Sequence, residues 1–432
     1  MKVLVISAEV WRDDTNGGNV LSNIFDGFEA EFAQIYCNPG IPYNNKCKKY
    51  YQMTDSMVIQ NIIKGKKIGK LIEFDDYPSK RNRSDILNGD SINFYKFFKK
   101  YSFPIFHVAK EIIWNASNWK NDSLKQFITE FNPDIIFAPC YGSHIMLSID
   151  RFVANLTNKP VISYISDDHY SMKQFRISLI YWINRILLRK NLRKTFSYYN
   201  LIYTMTSEQL EECQRALKCN MKILQKSVDI SKVSKKENIN KPIKLIYAGG
   251  IYCGRWKTLI AIVKALELIN KNSTKMVLEI YTGNNLNKKQ EAILNDKVNS
   301  NVHGLISQEE LKKKYKESDI ALHVESFDIK NKLSTRLSFS TKIIDCLSSG
   351  CAVMAICWNG QSGYKYLQRE DVAICIDNIN DIYKKLSEIV NDTSIIKKYS
   401  QKSYEVCKKN HDSKKVKKML YTDFKKFIRS TK

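Results

Sequence analysis

The strongest chemical signal in the sequence is a glycine turn followed by two cations. Gly254, Arg255 and Lys257 come after the apolar run at 244–248 and open a stretch with helical recurrence. Glycine lets a ligand approach the backbone closely, and amides at the start of a helix attract anions. An arginine fork beside a lysine suits the oxygens of a diphosphate. The segment therefore predicts a diphosphate site, with a solvated surface pair as the alternative.

A second group of candidate ligand-binding residues lies in the segment FSTKIIDCLSSGCAVMA, residues 339–355. Ser340 or Thr341 is predicted to cap a helix whose free amides face a ligand. Lys342 stands in the first turn, where its charge opposes the helix dipole, and this favours an anion bound nearby. Asp345 lies one turn after Thr341 and is suited to accept hydrogen bonds from ribose hydroxyls. The alternative is an ordinary cap with surface charges.

A glycine pair near the start of the chain is a third candidate anion site. Gly17 and Gly18 follow the apolar run at 3–7 and stand in a predicted loop before a helix that starts near Asn19. The amides at such a helix start bind anions, and glycine leaves room for the ligand. The pair is either a phosphate-binding turn or a plain turn.

Apolar runs of strand length alternate with helix-like stretches along most of the chain. Runs without strict polar alternation are typical of strands buried on both faces, as in a parallel sheet. Helices are predicted over 259–269, 308–318 and 341–348, the second with a capping box of Ser307 and Glu310. The pattern predicts a doubly wound α/β fold. Strands are predicted at 3–7, 134–138, 161–165, 201–205, 244–248, 276–281, 320–324, 352–356 and 372–376.

The alternation restarts near Pro242, after a polar, lysine-rich segment with little periodicity. Residues 41–120 do not allow a topology to be drawn. We predict an N-terminal Rossmann-like domain over 1–225, a linker over 226–242, a C-terminal Rossmann-like domain over 243–400 and a C-terminal helix over 401–432. Within that helix, apolar residues recur at helical spacing: Val416, Leu420, Phe424 and Phe427.

The composition is that of a folded protein with a large positive charge. The chain has 432 residues, 44% of them hydrophobic, and this length suits two or three domains. A net charge of +25 predicts an acidic partner, which is nucleic acid, anionic lipid or a phosphorylated substrate. The alternative is the lysine-rich codon usage of an A/T-rich genome. The basic, aromatic stretch 175–196 either packs on the core or lies on an anionic membrane surface.

The cysteines and the apolar segments indicate a cytoplasmic protein. Of eleven cysteines, Cys140, Cys351, Cys357 and Cys375 lie in or beside strand-like runs, as small buried hydrophobes do in a reducing compartment. The sequence has no CxxC pair, and we expect neither a disulfide framework nor a zinc site. The N-terminus does not resemble a signal peptide, and no run approaches the ~20 apolar residues that span a bilayer.

Three segments carry a resemblance to a known family. With the early Gly17-Gly18 pair, YAGGIYCGRWKTL at 247–259 and FSTKIIDCLSSGCAVMA at 339–355 resemble the motifs of retaining glycosyltransferases of the GT-B fold. The similarity is to the large family 4 (group 1), and particularly to bacterial enzymes that build capsular polysaccharides and exopolysaccharides. The resemblance implies two Rossmann-like domains that face each other across a cleft, with a nucleotide-diphosphate sugar bound between them.

The resemblance also implies roles for individual residues. Arg255 and Lys257 would hold the diphosphate and stabilise it as the leaving group. Asp345 would occupy the position of the second acidic residue of the family, which contacts ribose. The donor-binding set implied is Gly17, Gly18, Gly254, Glu325, Ser340, Thr341, Lys342 and Asp345.

The chain departs from the family pattern at two places. Many members have Glu-x7-Glu, whereas here Leu337 stands at the first position, and Glu325 lies too far upstream to replace it on spacing alone. Many members also carry a histidine after a strand of the first domain. Here the strand at 161–165 leads into Asp167, Asp168 and His169, any of which could serve the acceptor as the catalytic residue of that domain.

The sequence therefore predicts a retaining, metal-independent glycosyltransferase of surface polysaccharide synthesis. The acceptor would be a glycan or a lipid-linked diphosphate, and the site would need no cofactor and no metal, because cations of the chain stabilise the leaving group. The acids Asp13-Asp14 and Asp75-Asp76 are predicted to be turn acids rather than a metal motif. The alternatives are a sugar-nucleotide 2-epimerase, a catalytically silent partner subunit and a basic nucleic-acid-binding protein, although no nucleic-acid-binding motif is present.

Overall fold

The computed structural model describes residues 1–14, 16–74 and 104–430, which form two α/β units, each built on its own sheet. The strands are β1 (Lys2–Ser7), β2 (Glu31–Tyr36), β3 (Cys47–Gln52), β4 (Lys70–Glu73), β5 (Ile135–Pro139), β6 (Val161–Ile165), β7 (Tyr199–Thr204), β8 (Met221–Ile223), β9 (Ile243–Ala248), β10 (Met276–Tyr281), β11 (Ser300–His303), β12 (Ile320–Val324), β13 (Ala352–Ile356) and β14 (Ala373–Ile376).

The described helices alternate with these strands. They are α1 (Asn16–Ile24), α2 (Asp55–Lys64), α3 (Pro104–Ala116), α4 (Asp122–Phe131), α5 (His144–Thr157), α6 (Leu179–Phe196), α7 (Ser207–Leu217), α8 (Arg255–Ile269), α9 (Lys288–Leu294), α10 (Gln308–Glu317), α11 (Ile329–Ser334), α12 (Lys342–Leu347), α13 (Ser362–Arg369), α14 (Ile382–Asn391), α15 (Ser394–Asn410) and α16 (Ser413–Ser430).

The first sheet has eight strands in the order β4-β3-β2-β1-β5-β6-β7-β8. Every pairing in it is parallel except β3 with β4. All five residues of β6 are buried, because helices cover both faces of the sheet. The central strands therefore consist of apolar runs, which is the pattern that identified them in the sequence.

The second sheet has six parallel strands in the order β11-β10-β9-β12-β13-β14. This is the doubly wound order, in which the connection changes direction between β9 and β12 and opens a crevice at the carboxyl ends of the strands. The side chains of β12 and β13 are all buried. The predicted fold class, two Rossmann-like domains with parallel sheets, is confirmed, and the predicted capping box of Ser307 and Glu310 opens α10.

The chain passes between the two units twice, at neighbouring places. Val228, after β8, donates its backbone amide to the His411 carbonyl, and the Ser413 amide donates to the Val228 carbonyl. Helix α15 packs on the second sheet, whereas α16 lies against the first unit. There the buried Phe424 ring contacts Phe25, Phe28 and Phe137.

The carboxyl edges of the two sheets face each other. The loop after β7 meets the segment between α11 and α12, where the Thr206 hydroxyl donates to the Leu337 carbonyl at 3.4 Å. Beside it the Arg369 guanidinium lies 3.1 Å from the Ser207 hydroxyl. Ligands of doubly wound sheets bind at this edge, so a cleft between the two edges is the natural place for a site.

All eleven cysteines are free thiols, and Cys140, Cys351 and Cys357 are buried while Cys375 is half-buried. The predicted basic helix at 175–196 starts at Leu179, and the predicted pair Asp75-Asp76 falls outside the described residues. Among the described helices none is both long and apolar enough to cross a membrane.

Candidate functional site

An arginine–glutamate pair joins the loops that follow β9 and β12. The Arg255 guanidinium donates Nε to Glu325 Oε2 at 2.9 Å and NH2 to Oε1 at 2.8 Å. Burial lowers the pKa of Arg255, but the Glu325 carboxylate more than offsets this, and the pKa is raised overall. The Thr258 hydroxyl also donates to the Glu325 carbonyl at 2.8 Å. The predicted donor-site residues Arg255 and Glu325 therefore form one rigid, neutralised unit.

Lys342 provides a second, unneutralised positive charge beside this pair. Its ammonium lies under the glycine turn after β9, so close that a Cβ on Gly249 would come within 1.9 Å of Nζ. The ammonium also lies 5.7 Å from the centroid of the Tyr247 ring. Burial, together with the charge of Arg255, lowers the pKa of Lys342 to about 8. In the described part of the chain no carboxylate forms a salt bridge with this ammonium.

A neutral histidine stands behind these charges. His323 points from the same face of β12 as Glu325 and is buried, and burial lowers its pKa to about 4. Its Nε2 atom finds no hydrogen-bond partner among the described residues. Sequence analysis missed this residue, although a polar side chain in the apolar run IALHV is the feature that could have identified it. The Nε2 nitrogen is thus a buried polar atom beside two cations whose hydrogen-bonding capacity is left unused by the described residues.

The glycine turn itself is tightly constrained. Gly254 has φ 76°, and a Cβ there would meet Ser326 Oγ at 2.6 Å and Asp328 Oδ2 at 2.7 Å, so glycine is required. Gly254 starts α8 without any side-chain cap, and the first amides of the helix instead donate to backbone carbonyls of the turn, Arg255 to Tyr252 at 3.4 Å and Trp256 to Ile251 at 3.3 Å. Burial raises the pKa of Asp328, but hydrogen bonds from Ser326 and Asn331, together with the charge of the exposed Lys257, lower it overall. The predicted cations thus surround one helix start.

The cap predicted at Ser340 or Thr341 is not formed as expected. Helix α12 begins at Lys342, and the side chain of Thr341 accepts no capping hydrogen bond because its own backbone is already helical, with φ −58° and ψ −21°. The Asp345 carboxylate is held by the Lys226 ammonium at 2.5 Å. This pairing connects the donor side of the second unit to the segment that crosses between the units.

The glycine pair at the start of the chain differs from its predicted setting. Helix α1 begins at Asn16, so Gly17 and Gly18 lie in its first turn rather than in a loop before a helix starting near Asn19. A helical backbone is one of the many conformations that glycine adopts, so a glycine pair does not by itself distinguish a loop from a first helical turn. The pair still follows β1 at the carboxyl edge of the first sheet, on the side that faces the second unit.

The acids after β6 contact the second unit directly. The Asp168 carboxylate is 2% exposed, accepts from the Ser171 amide at 2.8 Å and pairs with Arg185 at 3.2 Å and Arg336 at 3.6 Å. Asp167 is exposed, and its carboxylate accepts from the Ser338 hydroxyl at 3.1 Å. Asp168 is thus occupied by structural partners, whereas Asp167 is the accessible acid.

Next to these acids lie the His169 ring and a second arginine–glutamate ion pair. The His169 ring lies against Gly142, and burial lowers its pKa although Asp167 raises it. Arg336 binds Glu212 on α7 through both nitrogens, at 2.5 and 2.8 Å. Hydrogen bonding from Arg336 lowers the pKa of Glu212. Sequence analysis missed this pair, and no local pattern distinguishes its members.

A cavity of about 820 Å³ opens at the carboxyl edge of the first sheet. It is lined by loops after β1, β5 and β6 and by residues of α3 and α6, including Glu9, Glu111, Trp114 and Tyr181. Burial raises the pKa of Glu111 to about 7. Pockets that combine aromatic faces with a few polar groups are typical ligand sites. Metal-binding clusters of three or more His, Cys, Asp or Glu do not occur within the described ranges.

Comparisons with known proteins find relatives by structure alone. No family model matches the sequence, and no curated protein matches it. Sucrose-phosphate synthase from Thermosynechococcus elongatus superimposes with a TM-score of 0.61 at 12% identity, over 99% of both chains. HepE from Anabaena in complex with UDP gives 0.60 at 10% identity, over 99% of this chain and 100% of the other.

The E. coli trehalose-6-phosphate protein bound with UDP-2-fluoro glucose gives a TM-score of 0.60 at 10% identity, over 98% of this chain and 99% of the other. At such low identity these similarities concern the fold. Together with the two parallel sheets and the facing carboxyl edges, they confirm the predicted architecture: the chain has the GT-B fold.

Proposed function

We propose that the protein is a glycosyltransferase that takes a sugar from a nucleotide-diphosphate donor bound between the two units. The observation that carries the proposal is Lys342, a half-buried ammonium beneath Gly249 with which no carboxylate of the described chain forms a salt bridge. Removing a cation from water is costly unless an anion accompanies it, and a diphosphate at the positive end of the α8 dipole supplies that anion.

Leaving-group stabilisation is the catalytic contribution of this site. As the bond between the anomeric carbon and the diphosphate breaks, negative charge grows on the departing oxygen, and the sugar becomes oxocarbenium-like. Lys342, Lys257 and the positive end of the α8 dipole stabilise that charge, and Arg255 does so while Glu325 fixes its orientation. These groups replace a metal ion in the proposed reaction.

The acceptor side of the proposal is the first unit. The acceptor oxygen bonds to the anomeric carbon on the face that the diphosphate leaves, and the departing diphosphate takes up the hydroxyl proton, so that the configuration is retained. Asp167 is the accessible acid that orients the acceptor hydroxyl, while Asp168 holds the loop through Arg185 and Arg336. Asp345, Ser340 and Thr341 would meet the ribose and phosphates.

The solved structures support the choice of donor. HepE is in complex with UDP, and the E. coli trehalose-6-phosphate protein is bound with UDP-2-fluoro glucose. The sequence resemblance extends the proposal to family 4 and to the assembly of a surface polysaccharide on a glycan or lipid-diphosphate acceptor. The net charge of +25 is consistent with a cytoplasmic enzyme at an anionic membrane surface.

The test is a thermal-shift screen of the purified protein against UDP, GDP, ADP, CMP and dTDP, with EDTA present. A ligand that binds only the folded state raises the melting temperature by mass action. We expect one diphosphate to give a clear shift that is much smaller in Lys342→Met and in Arg255→Ala. Lys264→Met, an exposed lysine on the same α8, serves as the matched control and should keep the shift.

The outcome separates the proposed enzyme from the other interpretations. A shift that appears only when Mg²⁺ or Mn²⁺ replaces EDTA in a parallel screen contradicts the metal-free site. No shift from any nucleotide, together with salt-sensitive RNA binding, contradicts the glycosyltransferase proposal and favours a nucleic-acid-binding protein.

A further inference from the structure

The outer face of α6, together with the segment that leads into it, exposes an unusual number of large apolar side chains. Ile177 is 93% exposed, Leu179 73% and Ile183 52%. Monomeric soluble proteins rarely leave a contiguous apolar patch of this kind uncovered, and such patches mark interaction surfaces. We call the following residues the α6 apolar face: Phe175, Ile177, Leu179, Ile180, Ile183, Ile186 and Leu187.

This exposure does not arise from a poorly packed helix. The opposite side of α6 buries Arg185, Leu188 and Leu192, and the helix packs on both α5 and α3. Ser178 caps its first turn by accepting from the Tyr181 amide at 3.3 Å. The helix is therefore well anchored on its inner side while its outer side remains apolar.

Cations follow the apolar side chains along the same exposed side of the helix. Lys190, Arg193 and Lys194 are exposed in its second half, and Arg176 is exposed just before its start. No acidic residue occurs within α6. An apolar strip flanked by basic side chains is the arrangement by which interfacial helices bind anionic bilayers, because the apolar groups enter the acyl boundary and the cations meet lipid phosphates.

The α6 apolar face continues into the large cavity of the first unit. Arg176, Ile177 and Tyr181 line that cavity together with the carboxylates of Glu9 and Glu111. The lining thus combines acidic side chains with apolar, aromatic and cationic ones. This mixed lining suits a ligand with a hydroxylated head and an apolar tail better than it suits a free sugar.

We propose that the α6 apolar face rests on an anionic lipid bilayer and that the adjoining cavity admits the head group of a lipid-anchored acceptor from that bilayer. The acceptor part of this proposal rests on the proposed glycosyltransferase function, whereas the bilayer contact does not.

Vesicle sedimentation tests the bilayer contact. We expect the wild-type protein to sediment with phosphatidylcholine vesicles that contain phosphatidylglycerol, and far less with phosphatidylcholine alone. The double variant Ile183→Asp/Ile186→Asp should lower the partition coefficient on the order of tenfold or more. Its matched control is Leu268→Asp/Val298→Asp, which places the same charges on apolar side chains 63% and 62% exposed in the second unit, and it should bind like the wild type.

The cationic part has its own pair of variants. Lys190→Gln/Lys194→Gln should lower binding to anionic vesicles on the order of tenfold, since each cation near such a surface contributes to attraction. Lys312→Gln/Lys313→Gln, on the exposed side of α10, removes the same charge and should have little effect. Equal losses in both pairs would mean that the overall charge, not α6, drives binding, and would overturn the proposal.

The orientation of the cavity is tested by an environment-sensitive fluorophore. In a Cys253→Ser background, which removes the exposed thiol, a label on Ile177→Cys at the cavity mouth should shift to shorter wavelength with anionic vesicles. A label on Leu268→Cys should not. An unchanged signal at position 177 despite sedimentation would show that the cavity faces away from the bilayer, and would overturn the acceptor route.

The outcomes also separate this inference from the proposed function. Apolar-face variants that lose vesicle binding should keep the nucleotide-induced thermal shift. If those variants instead convert a dimer to a monomer in light scattering while vesicle binding persists, the face is a self-association surface and the bilayer proposal is wrong. If no nucleotide raises the melting temperature of the wild-type protein, the proposed glycosyltransferase function is refuted, but the conclusion from the vesicle experiment is unaffected.

Discussion

Raising the pH from 7 to 9 should weaken binding of the nucleoside diphosphate through a single group, the ammonium of Lys342. Burial and Arg255 lower its pKa to about 8, and the other groups that act on it are Glu325, Cys346 and Asp345. A diphosphate selects the charged form, so the apparent affinity follows the fraction of Lys342 that is protonated. That fraction falls from about nine-tenths at pH 7 to about one-tenth at pH 9, which predicts a roughly tenfold loss of affinity.

The sign and the window follow from the direction of the shift. Lys342 binds its proton less tightly in the folded protein than in water, and a bound anion restores that proton, so binding is strongest below pH 8 and declines above it. The terminal phosphate of the nucleotide, with a pKa of about 6, is already ionised across this range and adds no slope of its own. Burial raises the pKa of Cys346 to about 12, so this thiol stays neutral throughout.

Isothermal titration calorimetry of the diphosphate found in the screen measures this dependence. Lys342→Met should bind more weakly at pH 7 and show no further loss up to pH 9, whereas Lys264→Met should reproduce the wild-type profile. A wild-type dissociation constant that stays constant from pH 7 to 9, or a Lys342→Met variant with the wild-type slope, would refute the placement of the diphosphate at Lys342.

Three further predictions concern the contacts between the units. Asp167→Asn should lower sugar transfer while nucleotide binding is kept. Asp168→Asn should also lower the melting temperature, because the buried Asp168 carboxylate holds two arginines. Full turnover in both variants would contradict any role of these acids at the acceptor. Glu212→Gln should enlarge the radius of gyration in X-ray scattering without ligand, since it weakens the two-bond contact with Arg336 by about 1 kcal/mol. Unchanged scattering would mean that other contacts are enough to hold the two units together. Phe424→Ala should lower the free energy of unfolding by about 3–5 kcal/mol in urea denaturation, because the ring is fully buried, and a loss under 1 kcal/mol would show that α16 is dispensable.

The sheet cores were predictable because their strands are buried on both faces. The run at 352–356 is β13 itself, and it pairs with β12 and β14 as a parallel central strand must. Other strands escaped prediction for physical reasons. In β2 the polar residue Gln34 interrupts the apolar run. It can nevertheless be buried, because its side-chain amide donates to the Ser7 hydroxyl and to the Glu9 carbonyl. In β3 two lysines are exposed because only the short antiparallel β4 lies beyond it.

The candidate site was predictable only where its residues are neighbours in sequence. The turn with Gly254 and Arg255 follows β9 directly, so its position at the sheet edge follows from local order. Asp345 pairs with Lys226, 119 positions away, and Arg336 pairs with Glu212, 124 positions away. Such partners depend on how two separately folded units approach each other, and no periodicity or spacing in the sequence carries that information.

The return of α16 to the first unit determines when that unit can be completed during synthesis. Its aromatic core is closed by Phe424, yet the chain leaves the unit after β8 and builds the whole second sheet before it comes back at Ser413. Roughly 190 residues separate these points, which at about 5–20 residues per second delays closure by roughly 10–40 s. Until α16 has been made, Phe25, Phe28 and Phe137 therefore lack their contact with the Phe424 ring.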